Sequence, residues 1–181
     1  MSQSQSAPEA QGIVGKAGWP SAAFLAAWAL VLGNEGGFVD DPADPGGATC
    51  WGVTERVARA AGYTGPMRDL PRLTAERIGY ERYWKPHRLD DLDPRLATQV
   101  FDGIYNSGPA AVRWLQEACG AMVDGDLGPK TIAAAAAVPP PKLIGRFDAR
   151  RLMFLADLTT WPSFGRGWAR RIGHNLLQGE A

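Results

Sequence analysis

The chain has 181 residues, 45 % of them apolar, which is enough to fill the core of one compact unit. Lys+Arg and Asp+Glu both number 19, and the formal net charge of zero argues against a nucleic-acid binder, which would normally carry a basic face. Two cysteines, Cys50 and Cys119, are too few for a disulfide framework, and two free thiols are favoured over a single disulfide.

The N-terminal part predicts a tail and then a core helix. Residues 1–18 are rich in Ser, Gln, Ala and Gly, a composition typical of a disordered tail. The apolar run WPSAAFLAAWALVLG follows a single lysine, lacks the A-x-A site of a signal peptide, and is too short to span a bilayer comfortably. Phe24, Trp28 and Val31 recur at helical spacing, which predicts the buried stripe of a helix that begins near Pro20.

The same stripe, extended by four residues, reaches Glu35. This glutamate is therefore expected on the buried side of the last helical turn, before Gly36 and Gly37 end the helix. Burial and the negative end of the helix dipole both disfavour the charged carboxylate, so its pKa should rise. A protonated carboxyl group is what a general acid needs. The alternative is a structural glutamate that bonds to a nearby amide or arginine.

An acidic loop follows the glutamate. The stretch DDPADPGG holds three aspartates on a turn that two prolines stiffen. It predicts carboxylates across from Glu35, and two carboxyl groups that flank a glycosidic bond are the core of most glycosidase chemistry. Asp44 and Asp41 compete for the second role because spacing alone does not choose between them, and Asp40 is expected to be solvated.

The stretch EGGFVDDPADPGGATCWGVT resembles the opening signature of the glycoside hydrolase family 108 muramidases, E-G-G-[YF]-x-x-D-P-x-D-P-G-G-x-T-x-x-G-[IV]-T, and every fixed position is present. That family comprises phage and prophage endolysins and related bacterial proteins. The resemblance implies a mainly α, lysozyme-like helical fold with a loop or small β-hairpin after the catalytic helix. It also implies that Glu35 is the catalytic acid. By a looser analogy with phage-type lysozymes, Asp44 or Asp41, with Thr49, positions the attacking water.

Two helices are predicted after the signature. The segment TERVARAAG has Thr54 as a plausible N-cap, and this threonine is also a candidate substrate-binding residue. The next helix is expected to begin at Thr74 and to end at Pro86. It looks like the family segment IYxxxYW, whose Tyr83 and Trp84 are candidates to stack on sugar rings. The alternative is that these aromatic residues belong to the core.

A further helix carries a polar pair. Leu96, Val100 and Ile104 mark its apolar face, while Asp102 and Asn106 are four residues apart and share another face. The pair fits the family pattern D-x-x-x-N-x-G. Both residues are candidates to bond substrate amides or hydroxyls, and the alternative is that they cap the next helix.

The second half of the chain contains a different resemblance. The segment LQEACGAMVDGDLGPKT is similar to repeats of the peptidoglycan-binding type, L-Q-x-x-x-G-x-x-x-D-G-x-x-G-x-x-T. Its aspartates Asp124 and Asp126 lack the spacing of a calcium loop and are expected to be solvated. Neither His87 nor His174 lies in a ligand pattern, so no metal and no other cofactor is expected.

The C-terminal part predicts mainly helix. An alanine-rich helix is broken by three prolines at 139–141, and a long helix, a break at Pro162 and a final helix follow. Phe147, Arg150 and Arg151, together with the segment FGRGWARR, look like the family's C-terminal pattern, an arginine-bearing helix followed by FxxGWxxR. Arg166, Arg170 and Arg171 are candidates to attract acidic cell-wall groups, and the alternative is that they pair with carboxylates or lie on the surface.

These features predict a tail over 1–18, a catalytic lysozyme-like region over 19–107 and a helical peptidoglycan-binding-like region over 108–181, packed with the catalytic region as one compact unit. The resemblance implies a monomeric, bacteriolytic muramidase that acts on peptidoglycan glycan strands and cleaves the β-1,4 bond between N-acetylmuramic acid and N-acetylglucosamine. The alternatives are a lytic transglycosylase and a non-catalytic wall-binding or morphogenesis module. Without a clear signal peptide, we expect synthesis in the cytoplasm and passage to the periplasmic or extracellular wall through a holin-like pore.

Overall fold

Eight α-helices dominate the computed structural model, which describes residues 20–32, 37–40 and 47–180. They are α1 (Ala22–Leu32), α2 (Glu55–Ala60), α3 (Arg72–Gly79), α4 (Pro94–Ser107), α5 (Ala110–Cys119), α6 (Pro129–Ala136), α7 (Pro140–Ala156) and α8 (Trp161–Glu180). Strands β1 (Thr49–Cys50) and β2 (Val53–Thr54) form an antiparallel hairpin between α1 and α2. The expected mainly helical fold with a small hairpin after the first helix is confirmed. The tail predicted for residues 1–18 lies outside the described residues.

Helix α1 is a core helix, as its periodicity predicts. The backbone N–H of Phe24 donates to Ser21 Oγ at 3.1 Å, so a serine caps the helix one residue after Pro20. Phe24 and Trp28 are buried. Val31, at the end of the stripe, is half-buried. Within the described ranges no helix combines the length and the apolar character needed to cross a membrane.

Helix α4 is the centre of the fold and contacts α1, α5, α7 and α8. Its predicted apolar face is confirmed, because Leu96, Val100 and Ile104 are all buried. The ring of Phe101 lies 5.9 Å from that of Phe24, in an edge-to-face arrangement that joins α4 to α1.

Helix α3 begins earlier than predicted. Its first residue is Arg72, and Pro71 is the N-cap. The N–H of Thr74 donates to the carbonyl of Pro71 at 2.9 Å, so Thr74 already lies inside the first turn and is not the cap. A proline at the start suits the helix because no intrahelical acceptor is available there for the missing N–H.

The end of α3 also differs from the prediction. The chain continues through a π-helical turn at Tyr80–Trp84 into a 3₁₀ turn at Lys85–His87, and Pro86 lies inside that second turn. A short 3₁₀ turn accepts a proline near its start for the same reason that an α-helix does. The chain leaves this turn at Arg88, whose φ is +50°.

The C-terminal helices confirm one predicted break and correct another. The proline run separates α6 from α7, since Pro139 is the N-cap of α7 and Pro140 its first residue. Pro162 is the second residue of α8 rather than a break, because its fixed φ fits the first helical turn. Residues 157–160 separate the two helices instead.

Both cysteines are free, which confirms the favoured alternative. Cys50 lies buried on β1, where burial raises the pKa of its thiol, and Cys119 is half-buried at the end of α5.

Candidate functional site

Three of the four predicted catalytic residues, Glu35, Asp41 and Asp44, lie outside the described residues. The fourth, Thr49, is described. The residues on either side of the other three, 32, 37–40 and 47, are described as well. The described part of the site consists of the hairpin and the helices that contact it.

Thr49 lies in the middle of a small sheet. On one side its backbone N–H and carbonyl pair with those of Val39, at 2.7 and 2.8 Å, and on the other side it is opposite Thr54 in the hairpin. Residues 37–40 and 47–54 are therefore held together through Thr49. The acidic segment of the signature connects these two stretches in the sequence.

The turn of the hairpin contacts the last residue of α1. Trp51 and Gly52 both have positive φ angles, +50° and +73°, as a tight two-residue hairpin turn requires. A Cβ at Gly52 would lie 2.4 Å from a methyl carbon of Leu32. The glycine thus allows the end of the helix to pack directly on the turn.

Tyr105 of α4 contacts the same turn. Its hydroxyl donates to the carbonyl of Gly52, and its ring packs edge-to-face on Tyr83 with 5.0 Å between the centroids. Burial raises the pKa of Tyr105, so the hydroxyl keeps its proton and remains a donor. This tyrosine is not among the candidate residues that the sequence patterns indicate. The available signal was its place inside the D-x-x-x-N pattern, one residue before Asn106.

Thr54 closes the hairpin and caps α2, as predicted. The N–H of Val57 donates to Thr54 Oγ1 at 3.4 Å. The hydroxyl hydrogen of Thr54 can still be donated to another group. Its role in substrate binding stays a prediction.

The two aromatic candidates separate in the structure. Trp84 is fully buried, with its ring 5.5 Å from Phe24 and 5.6 Å from Phe101. It has no exposed face for a sugar, so the predicted sugar contact is wrong and the core alternative holds. Tyr83 is half-buried against Tyr105 and stays a candidate for sugar binding.

Asp102 is the centre of a buried polar cluster, which we call the Asp102 hub. Its Oδ1 accepts hydrogen bonds from Asn106 Nδ2 at 2.9 Å and Arg171 Nη1 at 2.7 Å. Its Oδ2 accepts from Arg151 Nη1 at 2.5 Å and Asn175 Nδ2 at 2.9 Å. The hub therefore joins α4 to both α7 and α8.

The hub corrects the predicted role of Asp102. The residue is 2 % exposed and both carboxylate oxygens are engaged inside the protein, so it does not bond substrate directly. It does not cap the next helix either, because α5 begins after Pro109 with no side-chain cap. Asn106 is exposed at the end of α4 and stays a candidate to contact substrate.

Of the three predicted arginines, the structure brings only Arg171 into this cluster, while Arg166 and Arg170 are exposed on α8. The alternative of carboxylate pairing is thus confirmed for Arg171. Across the described stretches, no three His, Cys, Asp or Glu side chains are grouped closely enough to hold a metal ion.

Known families and structures match the chain over most of its length. The family model of glycosyl hydrolase 108 matches residues 28–108, and that of a predicted peptidoglycan domain matches residues 110–173. The structure of Brucella abortus SagA is similar, with 34 % sequence identity and a TM-score of 0.76, over 86 % of this chain and 92 % of that chain. No curated protein matches the chain.

These matches confirm the expected lysozyme-like helical fold and support a function in peptidoglycan hydrolysis at the cell wall. The catalytic signature and the hairpin lie within the first matched segment, and the arginines of the Asp102 hub lie within the second. The chain belongs to the glycosyl hydrolase 108 family.

Proposed function

We propose that the protein is an N-acetylmuramidase, a lysozyme-type enzyme that hydrolyses the β-1,4 bond between N-acetylmuramic acid and N-acetylglucosamine in peptidoglycan. The observation that carries this proposal is the contact between Leu32 and the hairpin turn at Gly52, which Tyr105 reinforces. This contact joins the end of α1, the helix that leads to Glu35, to the sheet that holds Thr49.

Chain connectivity supports two carboxyl groups at this place. Glu35 follows Leu32 by three residues, and Asp44 precedes Gly47 by three. An extended chain covers at most about 3.6 Å per residue, so a separation of three residues spans at most roughly 11 Å. Glycosidases place their two carboxyl groups about 5–5.5 Å apart when they retain the anomeric configuration and about 6.5–9.5 Å apart when they invert it.

In the proposed mechanism, Glu35 donates its proton to the glycosidic oxygen as the bond to the anomeric carbon breaks. A water molecule that Asp44 or Asp41 orders, with help from Thr49, attacks that carbon. That aspartate accepts the proton that the water gives up, and proton exchange with solvent then returns both carboxyl groups to their starting states. Asn106, Tyr83 and Thr54 would bind the sugar rings on either side of the bond.

The nearest rival is a lytic transglycosylase, which needs one acid because the 6-hydroxyl of muramic acid attacks in place of water. Mass spectrometry of digested wall separates the two reactions. A reducing muramic end is expected here, and an anhydro-muramic end would support the rival. A non-catalytic wall-binding module would release neither product.

The substitution Glu35→Gln tests the proposed acid. It should remove nearly all lysis of outer-membrane-stripped cells, measured as loss of turbidity, while the circular dichroism spectrum and melting temperature stay unchanged. Glu81→Gln is the matched control, since Glu81 is an exposed residue that pairs with Lys85 on the surface. Wild-type lysis by the Glu35 variant would contradict the assignment.

We also propose that the protein acts as a monomeric endolysin that is made in the cytoplasm and reaches the wall through a holin-like pore. Expression alone should then leave cells intact, and co-expression of a holin should lyse them. Lysis without the pore protein would contradict this route. Light scattering of the purified chain measures the oligomeric state.

A further inference from the structure

A cavity of about 320 Å³ lies between α1, α4 and α8, beside the Asp102 hub. Leu30 and Val31, from the last turn of α1, form its apolar side. Its polar side is formed by Thr98, Asp102, Arg171, His174, Asn175 and Gln178. The volume falls within the range of about 300–1,000 Å³ that is typical of ligand pockets. Val31 of the lining precedes Glu35 by four residues in the sequence.

Excess positive charge lies behind the polar side of this cavity, because Arg151 is close to Asp102 but is not part of the lining. Two guanidinium groups, those of Arg151 and Arg171, share the single carboxylate of Asp102. The neighbouring acid, Asp148, is fully buried, and burial raises its pKa to about 7, although Arg151 acts in the opposite direction. Below that pH, Asp148 is mostly neutral and does not cancel the second positive charge. An anionic group is therefore favoured in the cavity over a cationic one.

Arg171 is held in a suitable position for such a group. Its Nη1 donates to Asp102, and its side chain is still 40 % exposed. A guanidinium has five N–H donors on three nitrogens, so this ion pair leaves most of them for a ligand. The bond to Asp102 anchors one nitrogen of the guanidinium, and a carboxylate is the group that a guanidinium binds best, through two parallel hydrogen bonds.

We propose that this cavity is a subsite for a carboxylate of the peptidoglycan substrate. Arg171 binds the carboxylate, and His174 and Gln178 bond the neighbouring amide or hydroxyl groups. The apolar side formed by Leu30 and Val31 fits the methyl carbons of a lactyl or alanyl group. The carboxylate comes either from the lactyl ether of muramic acid or from the peptide stem. This inference rests on the proposed function, whose substrate it describes in more detail.

Binding measured without turnover tests the subsite separately from catalysis. In a Glu35→Gln background, calorimetry would give the Kd of three tetrasaccharides: muropeptide with stems, the same glycan with its stems removed by an amidase, and uncharged N-acetylglucosamine tetramer. Arg171→Gln should weaken binding of a carboxylate-bearing glycan by about tenfold to a hundredfold, the range for a lost hydrogen bond to a charged group. Binding of the uncharged tetramer should not change.

Lys142→Gln is the matched control, because Lys142 is an exposed cation on α7 outside the cavity lining and its loss changes the net charge equally. Arg171→Gln also removes a partner of Asp102. The test therefore includes a second variant that changes the cavity and leaves the hub intact. Gln178→Glu adds a negative charge to the cavity lining and should weaken binding of the same carboxylated glycans. Ala169→Glu adds that charge elsewhere on α8 and should not weaken it.

The results identify the source of the carboxylate. They also separate a failure of the subsite from a failure of the proposed function. Loss confined to the stem-bearing glycan assigns the carboxylate to the peptide, and loss confined to the stripped glycan assigns it to the lactyl group. Unchanged Kd values in both cavity variants, or an uncharged tetramer that binds wild-type protein as tightly as the carboxylated glycans, would overturn the subsite. Failure of all three glycans to bind would overturn the proposed function.

Discussion

Asp102 and Arg171 are 69 positions apart in the sequence, and Arg171 Nη1 lies 2.7 Å from Asp102 Oδ1. Asp102 belongs to the segment that matches glycosyl hydrolase 108, and Arg171 belongs to the segment that matches the peptidoglycan domain. Arg151, from that second segment, and Asn175, two residues beyond it, bind the other carboxylate oxygen. The two segments therefore share one buried polar centre. Whether they also divide the function between them, as the expected boundary at residue 108 implies, stays a prediction.

Asp102→Asn should destabilise the fold strongly. It removes the only carboxylate that Arg151 and Arg171 share in the hub, and Arg151 is 2 % exposed, so a guanidinium is left buried without its charge partner. Breaking a buried ion pair in this way costs about 3–5 kcal/mol. Asp91→Asn removes an exposed pair with Arg88 and should cost no more than about 1 kcal/mol. Urea unfolding measures both, and equal losses would show that the hub adds nothing.

Asp148 should make stability depend on pH. It is fully buried, neither carboxyl oxygen has a hydrogen-bond partner among the described residues, and burial raises its pKa from 3.8 to about 7. The folded chain holds this proton more tightly than the unfolded chain does. The free energy of unfolding therefore falls as the pH rises from about 4 to about 7, by on the order of 4 kcal/mol for this group.

Asp148→Asn removes that dependence. Relative to wild type, the variant should gain stability progressively between about pH 4 and pH 8 in denaturant unfolding. Asp157→Asn, at the exposed end of α7, is the control for the same chemical change at a surface position, measured over the same pH range. A gain that is independent of pH in the Asp148 variant would mean that this group is ionised throughout.

Tyr105→Phe tests the support of the hairpin. It leaves the carbonyl of Gly52 without its donor, at a cost of about 1 kcal/mol, and frees the turn next to Leu32. Because catalytic groups tolerate little displacement, kcat/KM on peptidoglycan should fall by roughly tenfold. Tyr63→Phe also removes a hydroxyl-to-carbonyl bond, to Pro66, but on an exposed part of the chain, and should retain activity. Similar activity in both variants would argue against a role for this support.

Gly79→Ala tests the packing between α3 and α1. An added Cβ would lie 1.9 Å from a ring carbon of Trp28, and overpacking of this kind typically costs about 1–3 kcal/mol. Gly145→Ala is the matched control inside α7, where a Cβ meets nothing within 4 Å. That variant should gain about 0.5–1 kcal/mol from helix propensity. Opposite shifts in melting temperature are therefore expected, and a stabilised Gly79 variant would contradict the packing described here.

The sequence predicted those features that depend on nearby residues. The stripe of Phe24 and Trp28 and the cap at Thr54 are each defined within about two turns of chain, so their spacing carries the information. The sequence predicts the ends of helices less well where the prediction depends on a proline. Pro86 and Pro162 lie inside first turns, where proline is tolerated, and not at the ends of helices.

The features that the sequence did not predict depend on distant partners. The predicted proximity of Asp102 and Asn106 is confirmed. The arginines that bind the Asp102 carboxylate, however, follow it by 49 and 69 residues. Nothing in the local pattern shows that a polar helix face is buried under two later helices. The sugar contact predicted for Trp84 is wrong for a related reason. An aromatic stripe has the same spacing in a core and in a cleft, so its spacing does not distinguish the two.

The shared carboxylate limits how this protein can be recombined with its relatives. A chimera joined near Pro109 would take Asp102 from one parent, and from the other parent the two arginines that neutralise it and the asparagine Asn175 that donates to it. Grafting a different second half onto this chain therefore requires that the donor bring equivalent groups at equivalent positions on its last two helices. Without those groups, the chimera should be insoluble even though each parent folds by itself.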